Sequence, residues 1–333
     1  MTGTSPAVGH LRVDGANIRY EVRGSGPLLL LIPGGTGGAA AFDGVADDLA
    51  GEHTVVSYDP RGLSRSPLDD PEAPQTVAQQ ADDAYRLLEL LAPGAPARVA
   101  GCSSGAIAAL HLLATHPERI ERVVAHEPPL VEVLPDAAVH RAMLARVTDT
   151  LHREGLMPAA TMFAAGLAAE ASKDPAPASA APASGAPASA DQAGGTPASG
   201  TPAGGAPAGG TPASGAPAGG VSRSDAPASA APVELPPQAA ARAERTLADL
   251  PYFLGRIVPS FMTYAPDLER LRTLSDRLVL AAGEDSRGEL PHRTAACLAE
   301  RLGTEFVLFP GGHVGLTTHP AEFGALLRKV LNA

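Results

Sequence analysis

The chain has 333 residues, a formal net charge of -11 and two cysteines, Cys102 and Cys297. Two cysteines exclude a disulfide framework and a thiolate metal site, and the acidic balance argues against nucleic acid, whose phosphates attract clustered Lys and Arg. No stretch is long and apolar enough to cross a bilayer, and residues 1–10 lack the pattern of a signal peptide. We therefore expect a soluble, cytoplasmic protein with no nucleic-acid or membrane partner.

Strand-like and helix-like patterns alternate along most of the chain. A predicted hairpin comes first, with its turn at Asp14-Gly15-Ala16-Asn17. Uniformly apolar runs, typical of strands buried on both faces of a parallel sheet, follow at residues 28–32, 54–58, 98–100, 123–126, 278–281 and 306–309. Helical patterns lie between them at residues 40–50, 77–91, 104–115, 292–302 and 321–331. This order predicts an α/β fold with a doubly wound, mostly parallel sheet and an antiparallel start.

Residues 131–272 interrupt the alternation and contain only helical patterns, at 137–154, 158–172, 238–250 and 252–264. We expect them to form a helical cap between two parts of the sheet domain, residues 1–130 and 273–333. Within the cap, residues 174–232 are rich in Pro, Ala, Gly and Ser and contain no aromatic residue. Such a segment cannot offset a backbone ordering cost of about 1–2 kcal/mol per residue, so we expect a disordered insertion. A tail that binds proline-recognition modules is the alternative.

The strongest chemical signal is Gly101-Cys102-Ser103-Ser104-Gly105, which lies between a predicted strand and a predicted helix. A serine on such a turn adopts a strained backbone, and small residues two positions away on each side let the strand and helix approach closely. The helix N-terminus favours negative charge that develops at the serine. Ser103 is therefore the candidate nucleophile, whereas its neighbours are not centred between the glycines. A plain Gly-Ser loop is the alternative.

Further segments resemble the α/β-hydrolase superfamily over residues 10–130 and 275–332. They are the glycine-rich Leu30-Leu31-Ile32-Pro33-Gly34-Gly35-Thr36-Gly37, the loop Tyr58-Asp59-Pro60-Arg61-Gly62-Leu63-Ser64-Arg65-Ser66, and His116-Pro117-Glu118-Arg119-Ile120 before Val123-Val124. The chain departs from the family in two places. Pro33 stands where the family often has His, and Ser64 stands where it often has Gly.

The resemblance implies an oxyanion hole built from two backbone N–H groups. One comes from the residue after the nucleophile, Ser104, and the other from the glycine-rich loop, at Gly35 or Thr36. A phosphate-binding loop would end in Gly-Lys-Ser/Thr, whereas this chain continues Gly-Gly-Ala-Ala. The resemblance implies no metal and no organic cofactor.

The general base follows from its position. His313 lies in a glycine-rich loop between the last predicted strand and the last predicted helix, where the family places its catalytic histidine. The acid of the triad remains open. Asp285 is preferred because the family usually has an Asp shortly after a Gly in the loop that follows residues 278–281. Glu284 and Glu127 are the alternatives, the latter at the end of the strand at 123–126.

Together these residues predict a serine hydrolase that cleaves a small-molecule carboxylic ester, or a related acyl bond, through an acyl-enzyme at Ser103. A cofactor-free perhydrolase or acyltransferase with the same triad is one alternative, and a non-catalytic ligand-binding member of the fold is another. The oligomeric state stays open. Cap residues that could line an acyl pocket, or pack in the core instead, are Phe163, Tyr252, Phe253, Phe261, Met262 and Tyr264.

Overall fold

An eight-stranded sheet forms the centre of the protein. The computed structural model describes residues 5–168 and 237–333, which belong to one compact unit. The strands are β1 Ala7–Val13, β2 Ala16–Arg23, β3 Leu28–Ile32, β4 Thr54–Tyr58, β5 Ala97–Cys102, β6 Ile120–His126, β7 Leu278–Gly283 and β8 Glu305–Phe309. Their order is β1-β2-β4-β3-β5-β6-β7-β8, with antiparallel pairing of β1 with β2 and of β2 with β4 and parallel pairing elsewhere. The predicted sheet is confirmed.

The composition of β3 explains why the central strands are apolar at every position. Successive side chains of a strand point to opposite faces. Accordingly, Leu28, Leu30 and Ile32 pack in one hydrophobic cluster, and Leu29 and Leu31 pack in another on the opposite face. A sheet with helices on both faces therefore requires apolar residues without alternation, which is the pattern that predicted it.

Helices cover both faces of the sheet. They are α1 Asp43–Leu49, α2 Val77–Leu91, α3 Ser104–Thr115, α4 Ala137–Arg153, α5 Leu156–Ala168, α6 Pro237–Tyr252, α7 Val258–Met262, α8 Leu268–Arg272, α9 Leu290–Leu302, α10 Gly315–Thr318 and α11 Pro320–Leu331. The cluster with Leu30 includes residues of α2, α3 and α9, and the cluster with Leu29 includes residues of α1, α10 and α11. None of the helices in the described ranges has the length and apolar character that a membrane span requires.

Three details differ from the predicted elements. The hairpin turn is shorter than predicted, because Ala16 already pairs with Val13 and only Asp14 and Gly15 lie between the strands. Strand β8 is only partly buried along most of its length, because it is an edge strand with a single neighbour, β7. The short helices α8 and α10 were not predicted, since four or five residues are too few for a periodic pattern to be recognised.

Cap helices α4 to α7 lie between β6 and β7 in the chain, as predicted. The predicted helix over 252–264 is divided, because a π-helical turn at Phe253–Ile257 joins α6 to α7. Pro259 explains the division, since it has no N–H to donate to the carbonyl four residues earlier. The predicted disordered insertion at 174–232 lies outside the described residues, and the cap boundaries at 131 and 272 remain predictions.

Helix α6 is attached to the loop that follows β4. The Asp249 carboxylate accepts a hydrogen bond from the Ser64 backbone N–H at 2.6 Å, and the Tyr252 hydroxyl donates to the Ala73 carbonyl at 2.7 Å. Ser64 has a φ of 56°, in the left-handed region that favours glycine. Ser64 therefore adopts a backbone shape that favours glycine, and its N–H helps to hold α6 against this loop.

Candidate active site

Ser103 occupies a sharp turn between β5 and α3. Its backbone has φ 53° and ψ -123°, a strained combination for a residue with a side chain. A Cβ atom on Gly101 would lie 2.5 Å from the Gly105 carbonyl oxygen, and a Cβ on Gly105 would lie 2.3 Å from the Ile32 carbonyl oxygen. Glycine is therefore required on both sides of Ser103, for the reason used to predict the turn. The arrangement has the form of a nucleophile elbow.

His313 lies next to the Ser103 hydroxyl. Its Nε2 atom is 3.2 Å from Ser103 Oγ, within hydrogen-bonding distance. The histidine is in the loop between β8 and α10, at the edge of the sheet where β5 also ends. Parallel strands bring their carboxyl ends to the same edge, so two residues 210 positions apart in the chain meet there. Ser103 and His313 therefore lie side by side, as the sequence predicts.

The other ring nitrogen of His313 is bound by Glu127. Glu127 Oε2 lies 2.6 Å from His313 Nδ1, and the glutamate is fully buried at the end of β6. Its second carboxylate oxygen, Oε1, accepts hydrogen bonds from the Gly283 N–H at 2.9 Å and from the Ser286 hydroxyl. Glu127 has a φ of 50°, so its backbone is strained where its side chain enters the site. Ser103, His313 and Glu127 thus form a continuous chain of hydrogen bonds.

Asp285, the preferred acid in the sequence analysis, does not take the position next to His313. Asp285 and its alternative Glu284 are both exposed, and within the described residues neither carboxylate is hydrogen-bonded to His313. The loop after β7 contributes donors to this site instead of an acid, because its Gly283 N–H and Ser286 hydroxyl point at the Glu127 carboxylate. The geometry therefore favours Glu127, which was left open as an alternative, over Asp285 as the partner of His313.

The surroundings of Glu127 keep its carboxylate ionised. Burial by itself raises the pKa of this group, but the hydrogen bond from His313, the nearby imidazoles of His126 and His313 and the hydrogen bond from Ser286 together lower the pKa to about 2. A carboxylate that stays charged can hold the Nδ1–H tautomer of His313, which leaves Nε2 free to accept a proton. The pKa of the Cys102 thiol, beside Ser103, shifts in the other direction, because burial raises it to about 12.

The lowered pKa of Glu127 makes the free energy of unfolding dependent on pH in the acidic range. A carboxylate with a lower pKa in the folded than in the unfolded chain stabilises the fold above its unfolded pKa, and this contribution is lost as the pH falls toward the folded pKa. We expect the wild type to lose about 2 kcal/mol more unfolding free energy than Glu127→Gln between pH 7 and pH 3. Urea unfolding of both proteins at the two pH values measures the difference. Equal losses would contradict the role assigned to this carboxylate.

The predicted oxyanion residues lie beside Ser103, but one of their N–H groups is occupied. The Gly35 N–H donates to the Ser104 side-chain Oγ at 3.1 Å. The Ser104 N–H is the first of α3, so it has no acceptor within the helix. Among the described residues, neither it nor the Thr36 N–H donates to a protein acceptor. The loop is held close to the elbow, since a Cβ on Gly34 would lie 2.3 Å from the Cys102 carbonyl oxygen.

A cavity of about 400 Å³ opens at Ser103 and His313. Its walls are mostly apolar, and the cap contributes the apolar side chains of Phe163, Leu167, Phe253, Ile257, Val258, Phe261 and Met262. Four of the six predicted pocket residues are among them. The other two are not, because the Tyr252 hydroxyl bonds to the Ala73 carbonyl and the Tyr264 hydroxyl to His111 Nδ1. Among the described residues, no cluster of three or more His, Cys, Asp or Glu side chains is arranged to hold a metal ion.

Two contributors to the site were not predicted from the sequence. Ser286 supports the glutamate, and Arg242 on α6 lines the cavity. Neither could be recognised from the sequence, because each becomes important only through residues that are distant in the chain. The carboxyl end of the strand at 123–126, where Glu127 stands, was the one usable signal.

Solved structures of other proteins share this fold. The enol-lactonase from Burkholderia xenovorans LB400 superposes with a TM-score of 0.63 at 14% identity, covering 98% of this chain and 100% of that one. A thermophilic esterase from Thermogutta terrifontis gives a TM-score of 0.63 at 15% identity, covering 99% and 98%. At these identities the likeness concerns the fold alone.

Proteins that are similar in sequence support a more specific assignment than the shared fold does. The family model for the alpha/beta hydrolase fold matches residues 27–153. A zearalenone hydrolase of Cladophialophora bantiana is 38% identical over 121 residues, which cover 36% of this chain and 46% of that protein. An uncharacterized hydrolase of Bacillus subtilis (strain 168) is 31% identical over 327 residues, covering 97% of this chain and 95% of that protein. The chain is therefore a hydrolase that belongs to the α/β hydrolase fold family.

Proposed function

We propose that this hydrolase cleaves carboxylic esters of small molecules through an acyl-enzyme at Ser103. The observation that carries the proposal is the chain of hydrogen bonds from Ser103 Oγ to His313 Nε2, 3.2 Å apart, and from His313 Nδ1 to Glu127 Oε2, 2.6 Å apart. A serine hydroxyl is a weak nucleophile until a base takes its proton, and the base needs a partner that fixes its tautomer. All three roles are filled by adjacent side chains.

The reaction proceeds in two steps. Ser103 Oγ attacks the ester carbonyl carbon while its proton moves to His313 Nε2, and the protonated imidazole then gives that proton to the departing alkoxide. The products of this step are a free alcohol and an acyl group bound to Ser103. In the second step a water molecule gives a proton to His313 and attacks the acyl carbon. Ser103 regains the proton as it leaves, and the carboxylic acid is released.

Backbone N–H groups would hold the oxyanion that forms in each step. The Ser104 N–H at the start of α3 is one candidate and the Gly35 N–H is the other, provided that the latter separates from the Ser104 hydroxyl. The Thr36 N–H is the alternative donor from the same loop. Donors fixed before the reaction lower the barrier because no reorganisation is needed when the charge develops.

The hydroxyl of Ser104 is expected to restrain catalysis. In Ser104→Ala the Gly35 N–H loses its side-chain acceptor, at 3.1 Å in the wild type, and becomes available to the substrate oxygen. A neutral hydrogen bond contributes about 1 kcal/mol, so kcat should rise by up to about fivefold. Steady-state kinetics on p-nitrophenyl esters measure this, and Ser104→Thr, which keeps the hydroxyl, is the control that should not show the rise. A tenfold fall in kcat in the alanine variant would mean that the hydroxyl itself supports the oxyanion.

Covalent labelling tests the proposed function directly. A fluorophosphonate probe should label the folded protein once, on the peptide that contains Ser103, and should not label heat-denatured protein or Ser103→Ala. Failure to label would favour a non-catalytic ligand-binding protein. Kinetics on p-nitrophenyl esters of increasing chain length, with zearalenone added because similar proteins are named for its hydrolysis, then define the substrate. Adding hydrogen peroxide or an alcohol as competing acceptor separates hydrolysis from perhydrolysis and acyl transfer.

A further inference from the structure

One charged side chain lines the cavity beside the His313 imidazole. Among the described residues that form the walls, that side chain is Arg242; the others carry apolar groups, hydroxyls, backbone, the Cys102 thiol or the His313 imidazole. Arg242 and Thr246 stand one turn apart on α6 and both line the cavity. The cap therefore presents a cation and a hydroxyl on one face of a helix, next to an otherwise apolar wall.

Arg242 has no ion-pair partner among the residues that the structure describes. A second cavity adjoins the same arginine and contains the carboxylates of Glu21 and Asp43. Both are already paired, Glu21 with Arg19 at 2.7 Å and with Arg23 at 3.1 Å, and Asp43 with Arg23 at 3.0 Å. Arg245, on the same helix, also lines the second cavity and has no ion pair among the described residues, but it does not line the catalytic cavity, whereas Arg242 does.

A half-buried guanidinium without an ion pair is unfavourable beside apolar groups, because it loses part of its hydration and the Asp43 carboxylate acts on it only from beyond ion-pair distance. A carboxylate is the group that matches it best, since the planar guanidinium can donate two parallel hydrogen bonds to the two carboxylate oxygens. A neutral ester would leave this group unsatisfied. The charge is notable in a chain whose formal net charge is -11.

We propose that the substrate carries a carboxylate remote from the ester that Ser103 attacks, and that Arg242 binds it. This inference rests on the proposed function and specifies its substrate class as half-esters of dicarboxylic acids. The carbon chain between the two ends would lie against the apolar wall that includes Phe253 and Phe261. The same arginine would disfavour ligands that carry a cation at that end.

A matched pair of substrates tests the proposal. Mono-p-nitrophenyl adipate and p-nitrophenyl hexanoate share the leaving group and a six-carbon acyl chain and differ in the terminal carboxylate. We expect the wild type to prefer the adipate, and Arg242→Gln to lower kcat/KM for the adipate at least tenfold, mainly through KM. The hexanoate should change less than threefold, and Arg242→Lys should recover part of the preference because it keeps the charge but not the paired donors.

Arg245 supplies the control. It lies on the same helix and lines the second cavity but not the catalytic one, so Arg245→Gln makes the same change in net charge outside the site. The ratio of kcat/KM values for the two substrates should stay at the wild-type value in this variant. The proposal is overturned if Arg242→Gln leaves that ratio unchanged, or if both variants lower it equally, which would indicate a general effect of charge.

A binding measurement separates this proposal from the proposed chemistry. Adipate itself should raise the melting temperature of the wild type and of Ser103→Ala, but not that of Arg242→Gln. If adipate stabilises Ser103→Ala while no ester is cleaved by the wild type, the arginine site stands and the proposed reaction fails. If the fluorophosphonate labels Ser103 but adipate stabilises neither protein, the reaction stands and the arginine site fails.

Discussion

Ser103→Ala should lower kcat for p-nitrophenyl esters by about 10⁴-fold to 10⁶-fold, the range measured when single members of a serine triad are removed. Without the hydroxyl no acyl-enzyme can form, and any remaining turnover must come from water attacking a bound ester. The fold should be unaffected, because alanine keeps the Cβ atom and so the same strain at a φ of 53°. Thermal unfolding alongside the kinetics measures both quantities.

Ser275→Ala is the matched control for this loss. Ser275 begins a short turn before β7 and takes no part in the cavity at Ser103. The same atomic change there should leave kcat near the wild-type value. Turnover by Ser103→Ala within tenfold of the wild type would show that another group is the nucleophile, and the assignment of the whole site would then fail.

Much of the fold could be predicted because its signals are local. The five apolar residues of β3 need helices on both faces, and the strand at 54–58 and the helix at 77–91 were predicted to the residue. Ser103 was also recognisable, because the steric demands of its turn are met by neighbours in sequence. Gly101 and Gly105 prevent clashes of 2.5 Å and 2.3 Å, a requirement that the sequence displays directly.

The acid of the site was not predictable in the same way. Parallel strands β6 and β7 end side by side, so carboxylates that follow either one are brought to the same edge of the sheet. Their distance to His313 depends on the path of each loop and on burial, and no local pattern encodes these. The usual position of the acid in the family favoured Asp285, which is exposed. Glu127, in contrast, is fully buried and contacts the imidazole of His313.

Among the substitutions at this acid, Glu127→Gln should have the largest effect on catalysis, because of the hydrogen bonds that its carboxylate accepts. In the wild type, Oε1 accepts hydrogen bonds from the Gly283 N–H at 2.9 Å and from the Ser286 hydroxyl, and Oε2 faces His313 Nδ1 at 2.6 Å. A glutamine has one oxygen and one NH₂ group. Its oxygen should stay with the two fixed donors, because an NH₂ group placed there would leave donors facing each other in a buried site.

The NH₂ group of the glutamine must then face His313 Nδ1, which can accept its hydrogen bond only without a proton. The imidazole proton therefore moves to Nε2, the atom that faces Ser103 Oγ at 3.2 Å. In this tautomer the histidine cannot accept the proton of the serine. The change thus inverts the direction of the hydrogen-bond chain while it preserves the shape of the side chain.

We therefore expect Glu127→Gln to lower kcat by about 10⁴-fold, the loss found when the equivalent acid of a serine protease is replaced by its amide. KM should change little, since Glu127 is not among the residues that line the cavity. Asp285→Asn is the matched control, an acid-to-amide change on an exposed side chain near the same site, and it should leave kcat within about threefold of the wild type. Kinetics on one ester for all three proteins decide between the two acids. A large loss in Asp285→Asn together with a nearly silent Glu127→Gln would return the acid to the loop after β7.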